Sequence, residues 1–349
     1  MTTFGINAFG TGRGRARFES MAALAREAEA IGCAAVWTSE LYNRSATVPL
    51  AALAAGTNTV AIGSNIAYGV GRSPLIWAAE ARDLDELSGG RLILGLGNGT
   101  PTMMEAWHGV SGEAPAARMA ELLTVLNALW RLHEGPVHHD GRFYRVHLTP
   151  TSEVPEPVRP RIPIWIAGVN PLMLRTAGQH ADGLVGHPMF TAEYVRGPVA
   201  AALAEGAARA DRDPGAVTVM GIRMCAIDDD LEIARSQAAF AIGQYAASRV
   251  YDRLFALHGW SGAQQRIRQA ARERDRAALI RAVSDEMIDA ITIACTPGEF
   301  AAALARLPAG FDHLDLIAPP WGLSEEQTAA TNAAILAGLR THLAAPAAV

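Results

Sequence analysis

The sequence predicts a (β/α)8 barrel, a closed ring of parallel strands with helices on its outside. Eight short apolar runs with the composition of buried strands alternate with helical patterns along the 349 residues. In the clearest unit, residues 60–68 and 91–96 are strand-like and a helix lies between them. Two buried strands joined by a helix form a parallel βαβ unit, and repetition of that unit predicts the barrel. An open, doubly wound sheet is the alternative.

The helix of this unit has clear boundaries. Ser73 is placed to cap its N-terminus, Pro74 suits the first helical position, and Gly89-Gly90 ends it. The eight predicted strands cover residues 4–9, 33–37, 60–68, 91–96, 162–167, 183–187, 217–226 and 311–318. A second helix, over 116–133, is predicted to bury one apolar face made of Met119, Leu122, Leu123, Leu126 and Trp130.

Two segments interrupt the alternation and are predicted as insertions in one domain over 1–349. Residues 135–160 are expected to form a hairpin and loop over one rim of the barrel, and Asp140-Gly141 indicates a two-residue turn in it. Residues 247–290 are expected to form a mostly helical, charged insertion before the last strand.

The composition excludes several classes of function. A formal net charge of -5 provides no basic surface for nucleic acid. Every basic residue is arginine, which excludes a lysine Schiff base. Cys33, Cys225 and Cys295 lie far apart, so we expect reduced thiols and no metal site. No signal-peptide pattern opens the chain and no apolar run could span a bilayer, so we expect a cytoplasmic protein without a membrane partner.

Candidate catalytic residues follow two of the predicted strands, because barrels of this type carry their chemistry at the C-terminal ends of strands. Glu40 follows the second strand, where a carboxylate could act as an acid or a base. Its alternative role is a rim charge paired with Arg44 or Arg72. His187 ends the sixth strand and could donate to a ligand, or it could be a structural histidine with its hydrogen bonds satisfied.

The turn Gly168-Val169-Asn170-Pro171 joins the fifth strand to a helix. Its glycine allows close approach of a ligand, and the N–H groups and dipole of the following helix favour a phosphate. The alternative is an ordinary strand-to-helix turn. A dinucleotide-binding loop is excluded at residues 95–100, because Thr100 stands where that motif requires its third glycine.

These residues carry a family resemblance that spans nearly the whole chain. The chain resembles the luciferase-like superfamily of flavin and deazaflavin oxidoreductases, and within it most of all the coenzyme F420-dependent class. The most specific match is Leu-Ser-Gly-Gly-Arg over 87–91, followed by Leu-Gly-Leu-Gly over 94–97. Further similar pieces lie at residues 36–40, 62–74, 117–119, 164–171, 181–188 and 298–299.

The resemblance implies a (β/α)8 barrel, a flat cofactor ring lying across the strand ends, and a homodimer. It implies coenzyme F420 as the cofactor, with FMN as the alternative. It also implies a cis peptide bond at Asn65–Ile66, with Ile66 against the middle of the ring, and a phosphate at residues 167–171. The implied cofactor contacts are Asn65, Ile66, Tyr68, Gly97, Asn98, Ala167, Gly168, Val169, Asn170 and Pro171.

Two departures limit what the resemblance implies. Leu41 stands where the sugar-phosphate dehydrogenases of the family have a histidine, and Thr100 stands near the place of their second acid. Both argue against glucose-6-phosphate oxidation and leave Glu40 and His187 as the candidate catalytic groups. A methylenetetrahydromethanopterin reductase stays open, although no pterin pocket is identifiable in the sequence.

Three functions therefore remain. The first is F420-dependent hydride transfer to or from a small substrate with a C=C, C=N or alcohol/carbonyl group. We expect that substrate in a mostly apolar pocket made of Tyr68, Met103, Trp107 and Trp321. The second is an FMN-dependent monooxygenase that uses reduced flavin and oxygen. The third is a protein that binds such a cofactor without turning it over.

Overall fold

The computed structural model describes residues 2–345 and has the architecture of a (β/α)8 barrel. Its strands, in chain order, are β1 (Thr3–Asn7), β2 (Ala35–Thr38), β3 (Ala61–Ser64), β4 (Ala67–Tyr68), β5 (Leu92–Gly97), β6 (Val137–Asp140), β7 (Arg145–Leu148), β8 (Ile164–Ala167), β9 (Gly183–Val185), β10 (Thr218–Ile227), β11 (Thr292–Cys295) and β12 (His313–Ile317). Parallel pairing runs β1-β2-β3-β5-β8-β9-β10-β12 and returns to β1. Because β12 pairs with both β10 and β1, the ring is closed and the open-sheet alternative is wrong.

The helices surround this ring. They are α1 (Gly14–Ala30), α2 (Thr47–Gly56), α3 (Pro74–Ser88), α4 (Pro101–His108), α5 (Pro115–Leu129), α6 (Pro171–His180), α7 (Ala192–Tyr194), α8 (Ala200–Arg209), α9 (Leu231–Ala246), α10 (Asp252–Leu257), α11 (Ser261–Glu273), α12 (Arg276–Arg281), α13 (Asp285–Ile291), α14 (Phe300–Ala305) and α15 (Glu325–Ala344). Within residues 2–345 no helix has the length and apolar character needed to cross a bilayer.

The helix boundaries follow the local signals in the sequence. The Ser73 hydroxyl accepts the Ile76 N–H at the start of α3, and Gly89 ends that helix in the left-handed conformation, with φ of 68°. The predicted apolar face of α5 is buried, as the exposures of Met119 and Leu126, both 0 %, illustrate. Local capping chemistry and helical periodicity therefore define these elements.

Strand β11 was missed by the sequence analysis. Met224–Ile227 of β10 pair with β11, whereas Met220–Met224 pair with β12. Strand β10 has ten residues, more than its neighbours in the ring, and its C-terminal part extends past β12. The backbone groups of that part need partners, and β11 supplies them.

The predicted two-residue turn at Asp140-Gly141 is wrong. Strands β6 and β7 are antiparallel and pair Asp140 with Arg145, and the Gly141 N–H donates to the Tyr144 carbonyl at 2.9 Å, so the tip of the hairpin is Arg142-Phe143. The Glu121 carboxylate on α5 accepts the backbone N–H groups of Phe143 and Tyr144 at 2.7–3.1 Å. A tertiary contact therefore favours a turn at Arg142-Phe143 over the local Asp-Gly preference.

Large side chains fill the barrel interior below the strand ends. Trp37 is fully buried, and its ring lies 5.2 Å from that of Trp165. Its Nε1–H donates to Nε2 of His313 at 2.9 Å. Position 63 must be glycine, because a Cβ there would lie 2.3 Å from the Trp37 ring. Because these side chains fill the interior, the space for a ligand is at the mouth of the barrel, at the C-terminal ends of the strands.

Candidate functional site

Small and apolar groups meet at the mouth, where β3, β5 and β8 end. A Cβ on Gly97 would lie 3.0 Å from Cγ1 and Cδ1 of Ile66 and 3.4 Å from Cβ of Ala167. The peptide bond between Asn65 and Ile66 is cis, which confirms the expectation for that position. The structure therefore brings together Ile66, Gly97 and Ala167 from three predicted contact regions, and we call these three residues the floor.

A buried polar network lies beside the floor. The Asn65 amide donates to Oδ2 of Asp315 at 2.6 Å. Its Oδ1 accepts from the Asn7 amide at 2.8 Å and from the Ser39 hydroxyl at 2.9 Å. Asp315 is fully buried, and desolvation raises the pKa of its carboxyl to about 8, although the Asn7 and Asn65 amides oppose that rise. Side chains from three strands or strand ends, β1, β2 and β12, thus hold the Asn65 side chain in place.

The sequence analysis missed Asn7 and Asp315 in this network. Both lie within apolar strands, Asp315 in the run His-Leu-Asp-Leu-Ile over 313–317. The only signal in the sequence was an acid in the middle of a buried strand, which requires a partner. That partner, Asn65, lies 250 residues away along the chain.

Glu40 lies at the rim beyond β2, and its carboxylate is held in place. Both of its oxygens accept from Nη1 of Arg72 at 3.1 Å, and Oε2 also accepts the Tyr68 N–H at 3.3 Å. Arg72 in turn places Nε 3.0 Å from Glu80 and lies 4.4 Å above the Trp77 ring. The rim partner of Glu40 is therefore Arg72.

Asn98 follows the floor residue Gly97 directly and is buried. Its Nδ2 donates to the Pro115 carbonyl at 2.8 Å, which fixes the orientation of the amide. Among the described residues 2–345, its Oδ1 has no hydrogen-bond partner. A buried acceptor without a donor costs free energy, so this oxygen is suited to an N–H group of a ligand.

Helix α6 begins four residues after the floor residue Ala167 and presents an open N-terminus. Pro171 occupies the first helical position, and the N-cap residue Asn170 makes no side-chain capping hydrogen bond. The Tyr194 hydroxyl donates to the Val169 carbonyl at 3.3 Å and braces the turn. The first N–H groups of a helix have no partner within the helix, so an anion can bind them here.

His187 lies on the other side of the mouth, in an aromatic cluster. Its Nε2 is 2.7 Å from the Tyr251 hydroxyl, and its Nδ1 accepts the Met189 N–H at 3.2 Å. Its ring centroid is 4.7 Å from those of Tyr245 and Tyr251, and Tyr245 is 4.6 Å from Trp321. Burial lowers the pKa of His187 to about 3, so the imidazole is neutral at physiological pH.

Tyr245 and Tyr251 were also missed by the sequence analysis. They lie at the end of α9 and in the following turn, Arg249–Tyr251, which begins the predicted helical insertion. Nothing in their local sequence distinguishes them from core tyrosines. Only the chain path that returns to the barrel mouth places them against His187.

The structure does not bring the two predicted catalytic residues together. Glu40 follows β2 and His187 follows β9, and these strands are four places apart in a ring of eight. The predicted pocket residues are divided in the same way. Tyr68 and Trp107 are in edge contact at 6.2 Å between ring centroids, whereas Trp321 contacts Tyr245 on the opposite side. The mouth therefore has two separate walls with the floor between them.

Comparisons with known proteins agree with this architecture. The family model described as luciferase-like monooxygenase matches residues 2–313. A 5,10-methylenetetrahydromethanopterin reductase of Methanolobus tindarius is 30 % identical over 289 residues, which cover 81 % of this chain and 85 % of that protein.

Two solved structures have the same fold. The coenzyme F420-dependent tetrahydromethanopterin reductase from Methanopyrus kandleri superposes with a TM-score of 0.75 at 25 % identity, covering 97 % of each chain. The oxygenating constituent of 3,6-diketocamphane monooxygenase from Pseudomonas putida, in complex with FMN, superposes with a TM-score of 0.68 at 15 % identity, covering 99 % of this chain and 100 % of that one. With a family match over most of its length, the chain belongs to the luciferase-like monooxygenase family.

Proposed function

We propose that this protein is an F420-dependent oxidoreductase that transfers a hydride between the deazaflavin and a small organic substrate. The observation that carries the proposal is the floor of Ile66, Gly97 and Ala167, from which the chain leads within four residues to the uncapped N-terminus of α6. A planar ring with a phosphate tail matches both features. The similarity to methylenetetrahydromethanopterin reductase supports F420 in preference to other ring cofactors.

The residues at the mouth fit such a cofactor. The missing Cβ at Gly97 makes room for the Ile66 side chain, so that Ile66 and Ala167 lie together at the strand ends, where a ring would rest on them. The unpaired Oδ1 of Asn98 would accept an N–H group of the ring. The N–H groups at Gly168–Pro171 and in the first turn of α6 would bind the phosphate. Asn65 and Tyr68 complete the set of contacts.

The bound deazaflavin would supply or accept the hydride, and the protein would align the partners and exclude water. The Glu40 carboxylate is fixed by Arg72 and is suited to orienting a donor group of the ring or substrate. His187, on the opposite wall, is neutral, and both of its ring nitrogens already have partners in Met189 and Tyr251, so it would act on the substrate through Tyr251. The substrate would lie between the two walls.

An FMN-dependent monooxygenase is the second candidate. The observation that favours it is the floor itself, because a flavin ring is also planar and its phosphate would bind the same helix N-terminus. In that case the protein would use reduced FMN and oxygen, and the aromatic walls would shield the ring from water.

A cofactor titration tests these proposals. Purified protein is titrated with F420 and with FMN, and binding is followed by absorbance and fluorescence. We expect a lower Kd for F420, and the reverse preference would overturn the first proposal. Oxygen consumption with reduced FMN and a set of substrates tests the second. Tight binding of a reduced cofactor that no substrate in the set oxidises would instead indicate a non-catalytic binding protein.

We further propose that the protein works as a homodimer in the cytoplasm. Apolar side chains of α2 and α3, which pack on each other, face outward: Val48, Leu75, Ile76 and Leu87 are 47–57 % exposed. A second copy of the chain would cover this surface. Cys33, Cys225 and Cys295 are free thiols, which suits a reducing compartment.

A further inference from the structure

The hydroxyl of Tyr251, a residue that is 7 % exposed, has a hydrogen-bonding direction without a partner among residues 2–345. Its one hydrogen bond within residues 2–345 is to Nε2 of His187, at 2.7 Å. A phenolic oxygen both donates and accepts, so one bond satisfies only part of its capacity. Whether Tyr251 donates or accepts in that bond decides whether its acceptor or its donor function is left free.

The hydrogen bonds of the imidazole fix this direction. Nδ1 of His187 accepts the Met189 N–H at 3.2 Å and therefore carries no proton. In a neutral imidazole the proton is then on Nε2, which donates to Tyr251. Tyr251 is the acceptor in this bond, and its own O–H is left to donate to another group.

The surroundings of this hydroxyl form a surface suited to an apolar molecule. His187 lies two residues after the end of β9, and Trp321 lies four residues after the end of β12. Both therefore lie at the barrel end that carries the floor. Trp321 is 39 % exposed and packs edge-on against Tyr245, whose ring also contacts His187. One oriented O–H donor thus lies within an aromatic wall.

We propose that Tyr251 donates a hydrogen bond to an oxygen of the substrate, and that the substrate has an apolar body and a carbonyl or hydroxyl oxygen. The proposal rests on the proposed function, because it takes the floor as the place of the cofactor. His187 is then the positioning residue that orients the Tyr251 hydroxyl. Burial raises the pKa of Tyr251 well above its ordinary value, so the phenol keeps its proton at physiological pH. The imidazole and the phenol are both neutral, so this pair itself contributes no charge to substrate binding.

The test compares two probes that differ in one atom group, cyclohexanone and methylenecyclohexane. Their Kd values are measured by ligand-observed NMR on the full-length protein, with and without F420. The wild type should bind the ketone about three- to tenfold more tightly, as expected for one net hydrogen bond. Tyr251→Phe, which keeps the ring and removes the hydroxyl, should bind both probes equally. Tyr144→Phe, a tyrosine in the loop between β6 and β7, should keep the preference.

Each outcome decides the proposal. A ketone preference that Tyr251→Phe abolishes and Tyr144→Phe keeps supports it. The proposal is overturned by a wild type without preference, by a preference that survives in Tyr251→Phe, or by its loss in both variants. The affinity for F420 is measured on the same samples. A protein that does not bind F420 contradicts the proposed function, whereas a protein that binds F420 but does not prefer the ketone contradicts only the role of Tyr251.

Discussion

Arg72 binds both carboxylate oxygens of Glu40 at 3.1 Å and holds Glu80 at 3.0 Å through its Nε. One cation thus lies between two acids at the rim of the barrel. The Arg72 and Glu40 side chains are only 16 % and 12 % exposed, so solvent screens their attraction less than that of a surface pair. This arrangement fixes the carboxylate that we propose faces the cofactor.

Replacing Arg72 by methionine should destabilise the protein. The substitution keeps an apolar stem against Trp77 but leaves two carboxylates close together without a cation. Because the group is partly exposed, we expect a loss of about 1–2 kcal/mol in the free energy of unfolding, less than for a fully buried pair. Urea denaturation followed by circular dichroism measures it. Arg15→Met is the control, since its pair with Glu19 is 91 % and 62 % exposed and should contribute less than about 0.5 kcal/mol. Equal effects in both variants would contradict the structural role of Arg72.

A negative charge at the N-terminus of α6 should weaken phosphate binding without lowering the stability of the fold. Asn170→Asp is nearly isosteric, and an aspartate is favoured at an N-cap, so the free energy of unfolding should stay the same or rise slightly. The carboxylate would repel a cofactor phosphate, and we expect the Kd for F420 to increase about tenfold, which corresponds to about 1.4 kcal/mol.

The control for this prediction is Asn170→Ser, which also suits an N-cap but adds no charge. Its Kd for F420 should remain within about twofold of the wild type, a difference of about 0.4 kcal/mol. Fluorescence titration at low ionic strength measures all three proteins, because salt would screen the repulsion. If Asn170→Asp binds F420 as tightly as the wild type does, the phosphate does not bind at this helix.

The sequence predicted those parts of the site that depend on local signals. A glycine directly after a buried strand, or a proline at the start of a helix, indicates a strand end and an open helix N-terminus, as at Gly97 and Pro171. Contacts between distant segments could not be predicted in this way. Asp315 meets Asn65 across 250 residues, and Tyr251 meets His187 across 64. Each side chain alone has the pattern of an ordinary core residue, and only the closed ring brings the partners together.

The buried carboxyl of Asp315 should make stability fall as the pH rises. An unfolded aspartate loses its proton near pH 4, whereas in the folded protein the pKa is about 8. Between these values the folded state holds a proton that the unfolded state has released. The free energy of unfolding therefore decreases by about 1.4 kcal/mol per pH unit from this group alone. This contribution is fully present below about pH 4 and is lost by about pH 8.

Asp315→Asn has no titrating group and should lack this slope. As the pH rises from 4 to 8, the free energy of unfolding of the wild type should fall relative to that of Asp315→Asn. Above pH 8 the difference between the two proteins should stay constant. Urea denaturation at several pH values measures it, with Asp83→Asn, the loss of an exposed carboxylate, as the control for charge. Parallel pH profiles for Asp315→Asn and the wild type would show that Asp315 does not hold a proton in the folded state.

A charge on the exposed apolar surface of α2 and α3 should dissociate the proposed homodimer. Ile76 and Leu87 are eleven residues apart, about three helical turns, and so lie on one face of α3. We expect a dimer of the wild type by size-exclusion chromatography with light scattering, and a monomer of Ile76→Glu, because dimerisation would bury the carboxylate. Ile233→Glu on α9 is the matched control, since Ile233 is 46 % exposed and Ile76 is 48 % exposed. That control should remain dimeric. A monomeric wild type, or dissociation of both variants alike, would show that this surface is not the interface.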